Sequence, residues 1–208
     1  MSNTDDNNKS ILVDEKCLDI LREVGNIGAG NATTALAQIV NCKIDMEVPK
    51  ARILDFNELS EILGGPDTPI IGILFELSRD INGMMMFALS LDSAKQLIKL
   101  LLGQEPGDEL NEMEISTLKE IGNIISGAYV YSLSELCKMG IWISVPYVAN
   151  DMAGAVLSVP AIEIAKKADK ALIIETLFND GTNMIDGFFI LIPEEESYVE
   201  IISRLGVE

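Results

Sequence analysis

Ten residues of this 208-residue chain, LREVGNIGAG from Leu21 to Gly30, return as LKEIGNIISG from Leu118 to Gly127. The offset, 118 − 21 = 97, persists downstream without insertion: Leu36 meets Leu133, Ile44 meets Ile141, and Val48-Pro49 meets Val145-Pro146. A short motif recurs by chance; its neighbours rarely stay in register by chance. Self-similarity at a fixed offset is the mark of one structural unit read twice.

Past the prolines the copies drift but keep their order. Copy one carries apolar runs at Ile70–Leu77 and Met84–Leu91, around a turn with Arg79-Asp80 and Asn82-Gly83. Copy two carries Ala171–Phe178, a turn at Asn179-Asp180-Gly181, and Phe188–Ile192. Two apolar runs joined by such turns read as a hairpin. Met84-Met85-Met86 reads as part of a buried strand rather than a plastic binding surface. Helices are expected at Ser93–Leu102 and Glu194–Leu205, each stopped by the glycine that follows, Gly103 and Gly206. Each copy opens on a long helix, Asp14–Val40 and Asn111–Cys137, the second begun by an Asn111/Glu114 capping box.

The expected fold is therefore α+β. Two repeats related by a pseudo-two-fold, each long helix–strand–hairpin–helix, form one mixed β-sheet with the two long helices on one face. Residues 11–208 read as a single domain made of repeats 11–103 and 111–206, behind a flexible tail at 1–10. Leu63 to Pro69, with its Gly-Gly-Pro, reads as an exposed loop.

Composition narrows the chemistry. The chain is 48% hydrophobic but only 5% aromatic, so its core is aliphatic. A net charge of −18 repels nucleic-acid phosphates and anionic lipid surfaces. That repulsion acts over about 8–10 Å at physiological salt, which argues against DNA, RNA and membrane partners. No apolar run approaches the ~20 residues of a membrane span, and Met1 to Ser10 has no apolar signal core. A cytoplasmic protein is expected. There is no histidine, which removes Ser-His-Asp and Cys-His nucleophiles, a phosphohistidine intermediate and the usual zinc sites. Cys17, Cys42 and Cys137 have no CxxC spacing and lie in apolar stretches, as buried free thiols do.

The repeated helix carries a second pattern. With about 100° per residue and Asp19 at the origin, Glu23 falls at about +40°, Asn26 at about −20° and Gly30 at about +20°. Leu21, Val24, Gly28, Ala32, Ala35 and Ile39 take the opposite, core-facing side. Copy two repeats the polar stripe with Ser116, Glu120, Asn123 and Gly127, against an apolar side of Leu118, Ile121, Ile125, Tyr129 and Leu136. Glu and Asn alone would suit any solvated helix face. Yet Gly25, Asn26, Gly28, Gly30 and Asn31 crowd one helix, and a mid-helix glycine costs roughly 1 kcal/mol against alanine. A purely structural exposed helix gains nothing from them. Gly30 and Gly127 fit if another protein's backbone must approach the asparagines.

An amide can hold a water through its carbonyl oxygen and direct it in line at a phosphoryl group. A carboxylate nearby on the stripe can pair with a lysine of the partner. With one Glu per site and an Asp in one copy only, there are too few ligands for a metal cage of the chain's own. Such a site needs a substrate that brings its own metal ion and cations, as a phosphorylated receiver domain does.

Asp19-x-x-x-Glu23-x-x-Asn26 and Ser116-x-x-x-Glu120-x-x-Asn123 resemble the motif of the CheC/CheX/FliY chemotaxis phosphatases, over nearly the whole chain from Ile11 to Gly206. Two complete motifs resemble the CheC type. The resemblance implies hydrolysis of the aspartyl phosphate on the response regulator CheY, and binding of the deamidase CheD. It implies that Asn26 and Asn123 orient the water, that Glu23 and Glu120 engage the receiver's lysine, and that Asp19 and Ser116 support. No cofactor of the chain's own is expected, Mg²⁺ being on the receiver. The alternatives are a non-catalytic CheD-binding adaptor and, from Gly28-x-Gly30-x-x-Thr33, a dinucleotide site. The second lacks a preceding strand and a third glycine.

Overall fold

The computed structural model describes residues 3–40, 45–48, 50–55, 58–107, 109–164, 170–179 and 184–205; side-chain surroundings are described from Cys17 onward, apart from 40, 163–164 and 184. The first copy runs α1 (Asn3–Val40), β1 (Asp45–Glu47), β2 (Ala51–Asp55), α2 (Leu59–Ile62), β3 (Pro69–Arg79), β4 (Gly83–Ser90) and α3 (Leu91–Leu102). The second runs α4 (Glu112–Cys137), β5 (Ile141–Ile143), β6 (Tyr147–Met152), α5 (Ala153–Ile164), β7 (Lys170–Asn179), β8 (Met184–Pro193) and α6 (Glu195–Arg204). Element for element the two copies correspond.

The strands form one eight-stranded sheet in the order β1-β7-β8-β4-β3-β5, with β2 also on β7 and β6 also on β3. Every described pairing is antiparallel, where a mixed sheet was expected. The reason is an exchange of strands. The arm β1–β2 of the first copy pairs with the hairpin of the second, and β5–β6 of the second pairs with the hairpin of the first. No strand has to return parallel to its neighbour.

The registers obey the repeat. Ala51 lies opposite Ile174, and its counterpart Val148 lies opposite Ile73. Asp45 lies opposite Asn179, and Trp142 opposite Ser78. At the centre β4 pairs with β8, Phe87 against Phe189. A strand pair that is antiparallel maps onto itself only about an axis normal to the sheet. The two-fold therefore stands normal to the sheet, and α1 and α4 run in opposite directions on one face.

Alternation along the central strands serves two cores. Ile71, Ile73, Phe75 and Leu77 of β3 and Met85, Phe87 and Leu89 of β4 face α1, α3, α4 and α6. Ile70, Leu74, Met84, Met86 and Ala88 face the other way, against Leu59 and Leu63 near α2 and Ala153, Val156 and Leu157 of α5. The three methionines are buried strand residues, as expected. Short helices on this second face were not expected: α2 is four residues long, and α5 contains Pro160. Leu63, read as part of an exposed loop, is buried, while Gly64 and Gly65 take positive φ.

Helix ends follow local chemistry. Asn111 accepts from the backbone of Met113 and Glu114, and Glu114 accepts from the Asn111 N–H, the expected capping box. Ser90 caps α3 through Ser93 N–H, and Gly103 closes it at φ 66°. α1 begins at Asn3 rather than Asp14, so the expected tail at 1–10 is helical from Asn3. No glycine or proline precedes Gly25 to interrupt it. Pro146 separates β5 from β6, where one strand was expected, because proline donates no ladder bond. Cys42, Ile44, Pro49 and the expected turn at Asp180-Gly181 lie outside the described residues. Among the described residues no helix is long and apolar enough to cross a membrane.

The long helices rest on the sheet through glycine. A Cβ on Gly25 would meet Ile174, and on Gly122 would sit 2.6 Å from Ile73 Cγ2; the sheet partners are themselves counterparts. A Cβ on Gly28 would come within 2.7 Å of Tyr129 Cδ1 and 3.1 Å of its Cα. Gly25 and Gly28 are thus structural: Gly28 lies on the core-facing side, as expected, and the packing corrects the reading that the helix gains nothing from either glycine. Tyr129 anchors α4. Its hydroxyl bonds Thr176 Oγ1 at 2.8 Å, and its ring stacks on Phe189 at 4.5 Å. Burial pushes its pKa from 10.0 up to about 12, against a smaller lowering from Thr176, so the phenol stays neutral.

Gly28→Ala sets a helix-propensity gain of about 1 kcal/mol against overpacking at a helix backbone, about 1–3 kcal/mol. The clash wins, because Tyr129 is held at its Cα, its ring and its hydroxyl. Denaturant unfolding should show a net loss of about 1–2 kcal/mol; a midpoint at or above wild type would contradict this packing.

Candidate functional site

The stripe expected on α1 is where the helical angle puts it. Asp19, Glu23, Asn26 and Gly30 are exposed. On α4, Ser116, Glu120 and Asn123 are exposed and Gly127 is half-buried. Leu21, Val24, Ala32 and Leu36 are buried beneath the first stripe, and Leu118, Ile121, Ile125 and Tyr129 beneath the second. The apolar sides end sooner than expected: Ile39 is 51% and Leu136 38% exposed. These two are repeat counterparts, and both lie near the C-terminal ends of their helices. Leu36 and Leu133 mark the last core turn instead.

Glu23, Asn26, Glu120 and Asn123 have no hydrogen-bond or ion-pair partner among the described residues. Their full donor and acceptor capacity faces solvent. Asp19 is the exception on the stripe, because Arg22 Nη1 donates to its Oδ1 at 3.2 Å. Both ends are exposed, so the pair adds little to stability. It occupies Asp19.

Orientation separates the two motifs. Gly28 faces α4, and Asn26 lies about 200° away round the same helix. The first motif thus looks away from the neighbouring helix. The two-fold gives the same relation on α4, so the motifs look to opposite flanks of the helix pair.

Gly30 and Gly127 differ from Gly25, Gly28 and Gly122: a Cβ added at either meets nothing within 4 Å. The fold does not need them bare. Each leaves a notch one turn beyond its asparagine, where a partner's backbone can come close. One exposed residue escaped the sequence reading. Tyr131, one turn past Gly127 on the outward side of α4, is 59% exposed. Its spacing from Asn123 was the available signal, but the first copy has Thr34 there, so a search for shared residues passes over it. Among the described residues no three His, Cys, Asp or Glu side chains come together as a metal site.

Known proteins resemble this chain in sequence and fold. The model of the CheC-like family matches residues 18–53, and that of the chemotaxis phosphatase CheX matches residues 71–166. The chain is 38% identical to the CheY-P phosphatase CheC of Bacillus subtilis over 200 residues, covering 93% of this chain and 96% of that protein. Its fold is similar to the crystal structure of Thermotoga maritima FliY, with a TM-score of 0.70 and 22% identity over 92% of this chain and 96% of the other. It is also similar to CheX of Borrelia burgdorferi in a complex with CheY, BeF3 and Mg, at a TM-score of 0.51 and 19% identity, over 81% and 97%.

The open space at Gly30 and Gly127 has a measurable consequence. Gly30→Ala and Gly127→Ala should each raise stability in denaturant unfolding, by up to ~1 kcal/mol from helix propensity alone. Loss of stability in either would mean that the notch belongs to the fold.

Proposed function

The chain belongs to the CheC/CheX/FliY family of chemotaxis phosphatases, and from that premise we propose that it hydrolyses the aspartyl phosphate of a phosphorylated CheY-type receiver domain at two sites, Glu23/Asn26 and Glu120/Asn123. One observation carries the reading. Two identical Glu-Asn pairs stand exposed on two-fold-related helices with no partner among the described residues, each beside a bare glycine that the packing does not require.

The residues divide the work by their chemistry. The side-chain carbonyl of Asn26 or Asn123 accepts a hydrogen bond from water and turns the water's lone pair towards phosphorus, opposite the leaving aspartyl oxygen. Attack forms the new P–O bond, the acyl phosphate P–O bond breaks, and inorganic phosphate and the receiver's carboxylate result. Glu23 or Glu120 pairs with the receiver's lysine and fixes the docking angle. The receiver brings its own Mg²⁺, which neutralises charge on the transferred group. In support, CheX of similar fold is seen with CheY, BeF3 and Mg. We also propose CheD as a second partner, on family membership alone; titration calorimetry with purified CheD tests it, and no heat at micromolar concentrations would remove it.

Because the motifs face opposite flanks, their rates should add. Phosphate release at saturating receiver should survive Asn26→Ala through Asn123, and Asn123→Ala through Asn26. The double variant should fall towards the receiver's own decay, each site losing on the order of 10²–10³ in rate. Glu→Ala changes should raise KM as well as slow turnover. A double asparagine variant that kept near-wild-type activity would end the water-positioning role and favour a non-catalytic adaptor.

A further inference from the structure

The two motifs match, but the surfaces that continue them do not. On α4 the stripe runs Glu120, Asn123, Gly127 and on to Tyr131, eight residues beyond Asn123 and thus about 12 Å along the helix. Tyr131 is exposed, and its hydroxyl has no partner among the described residues. Between it and Asn123 the glycine presents no side chain, and nothing lies within 4 Å of where a Cβ would stand. The ring stands about 80° round the helix from Asn123 but only about 20° from Glu120 and about 40° from Gly127, so a partner seated on Glu120 and the open notch meets the ring along the same line.

On α1 the counterpart is Thr34. It is short, and its Oγ1 donates back to the Gly30 carbonyl at 2.9 Å, so its polar atom is already engaged within the helix. The second difference lies at the other end of the stripe. Asp19, engaged by Arg22, has Ser116 as its uncharged counterpart.

We propose that Tyr131 is a specificity-determining docking residue of the second site, giving the Glu120/Asn123 site the lower KM for phosphorylated receiver. This rests on the phosphatase reading above. A domain-sized partner covers about 800 Å² of surface, which takes in a residue about 12 Å from the reacting centre. A rigid exposed aromatic ring contributes contact area at small entropic cost, and tyrosines are enriched among residues that dominate interfaces. The ring touches no reacting atom, so it acts on docking and leaves the chemical step alone.

The test uses single-site proteins. In the Asn26→Ala protein, where only the second site turns over, Tyr131→Ala should raise KM roughly tenfold, with kcat within about twofold. Tyr131→Phe should restore the KM, since the ring face makes the contact. In the Asn123→Ala protein, Thr34→Tyr should lower the KM of the first site. An unchanged KM for Tyr131→Ala in the Asn26→Ala protein, or an equal rise in the Asn123→Ala protein, would overturn the proposal. Thermal unfolding of each variant separates docking from folding. Should no variant hydrolyse phosphate, the phosphatase reading fails by itself. Calorimetry with a beryllofluoride-loaded receiver then decides on Tyr131: weaker binding by Tyr131→Ala in a Glu23→Ala background supports it, and equal binding refutes it.

Discussion

The pairing of β4 with β8 is the contact on which the rest depends. It joins the two copies edge to edge, antiparallel, with Phe87 opposite Phe189. Any such pairing of two like strands carries a two-fold normal to the sheet, and that axis places everything else. It puts both long helices on one face and sends them in opposite directions. It also lets the short arm of each copy reach the free edge of the other copy's hairpin. Neither hairpin is left with a long apolar edge, which would otherwise invite aggregation.

Close approach of helices to sheet follows from glycine, and glycine does two different jobs on one helix. Gly25, Gly28 and Gly122 let backbone rest on side chains that would collide with a methyl group. Gly30 and Gly127 face open space. The same residue type, costing roughly 1 kcal/mol of propensity each time, is repaid inside by packing. Outside it finds no return within the fold. An unrepaid cost on an exposed surface, repeated in both copies, points to a partner more firmly than the glutamates and asparagines do alone.

Much of this was legible in the residues, and what was not has physical causes. The long helices, both hairpins, the capping box and the polar stripe were readable because each depends on local spacing, and the 97-residue offset showed that the helix and its stripe come twice. Strand exchange was not readable. Periodicity reports which face of a strand is buried, never which strand lies beside it, and so a mixed sheet stood in place of an antiparallel one. α2 was too short for a period to register, and Pro160 masked α5. Ile39 and Leu136 kept the helical spacing beyond the point where the partner helix still covers it, so pattern alone overran the core by one turn. The structural use of Gly25 and Gly28 was missed because a glycine packed against a neighbour and a glycine left bare look alike without the neighbour.

Duplication also frees the copies to differ wherever the two-fold is not needed for packing. The registers and the core counterparts hold to the repeat. The surface does not: Trp142 and Tyr147 are exposed where the first copy has Asp45 and Lys50, and Tyr131 stands where it has Thr34. A single-motif unit that changed such a residue would change its one site outright. Here one site can alter its grip on a partner while its twin, on the opposite flank, keeps the original one. The symmetric interior is what makes that separation possible, since it turns the two polar stripes to opposite flanks of the helix pair. On the proposed reading, chemistry held constant by the repeated Glu-x-x-Asn, with docking varied by its neighbours, is the expected outcome of placing two such motifs on opposite flanks of one symmetric core.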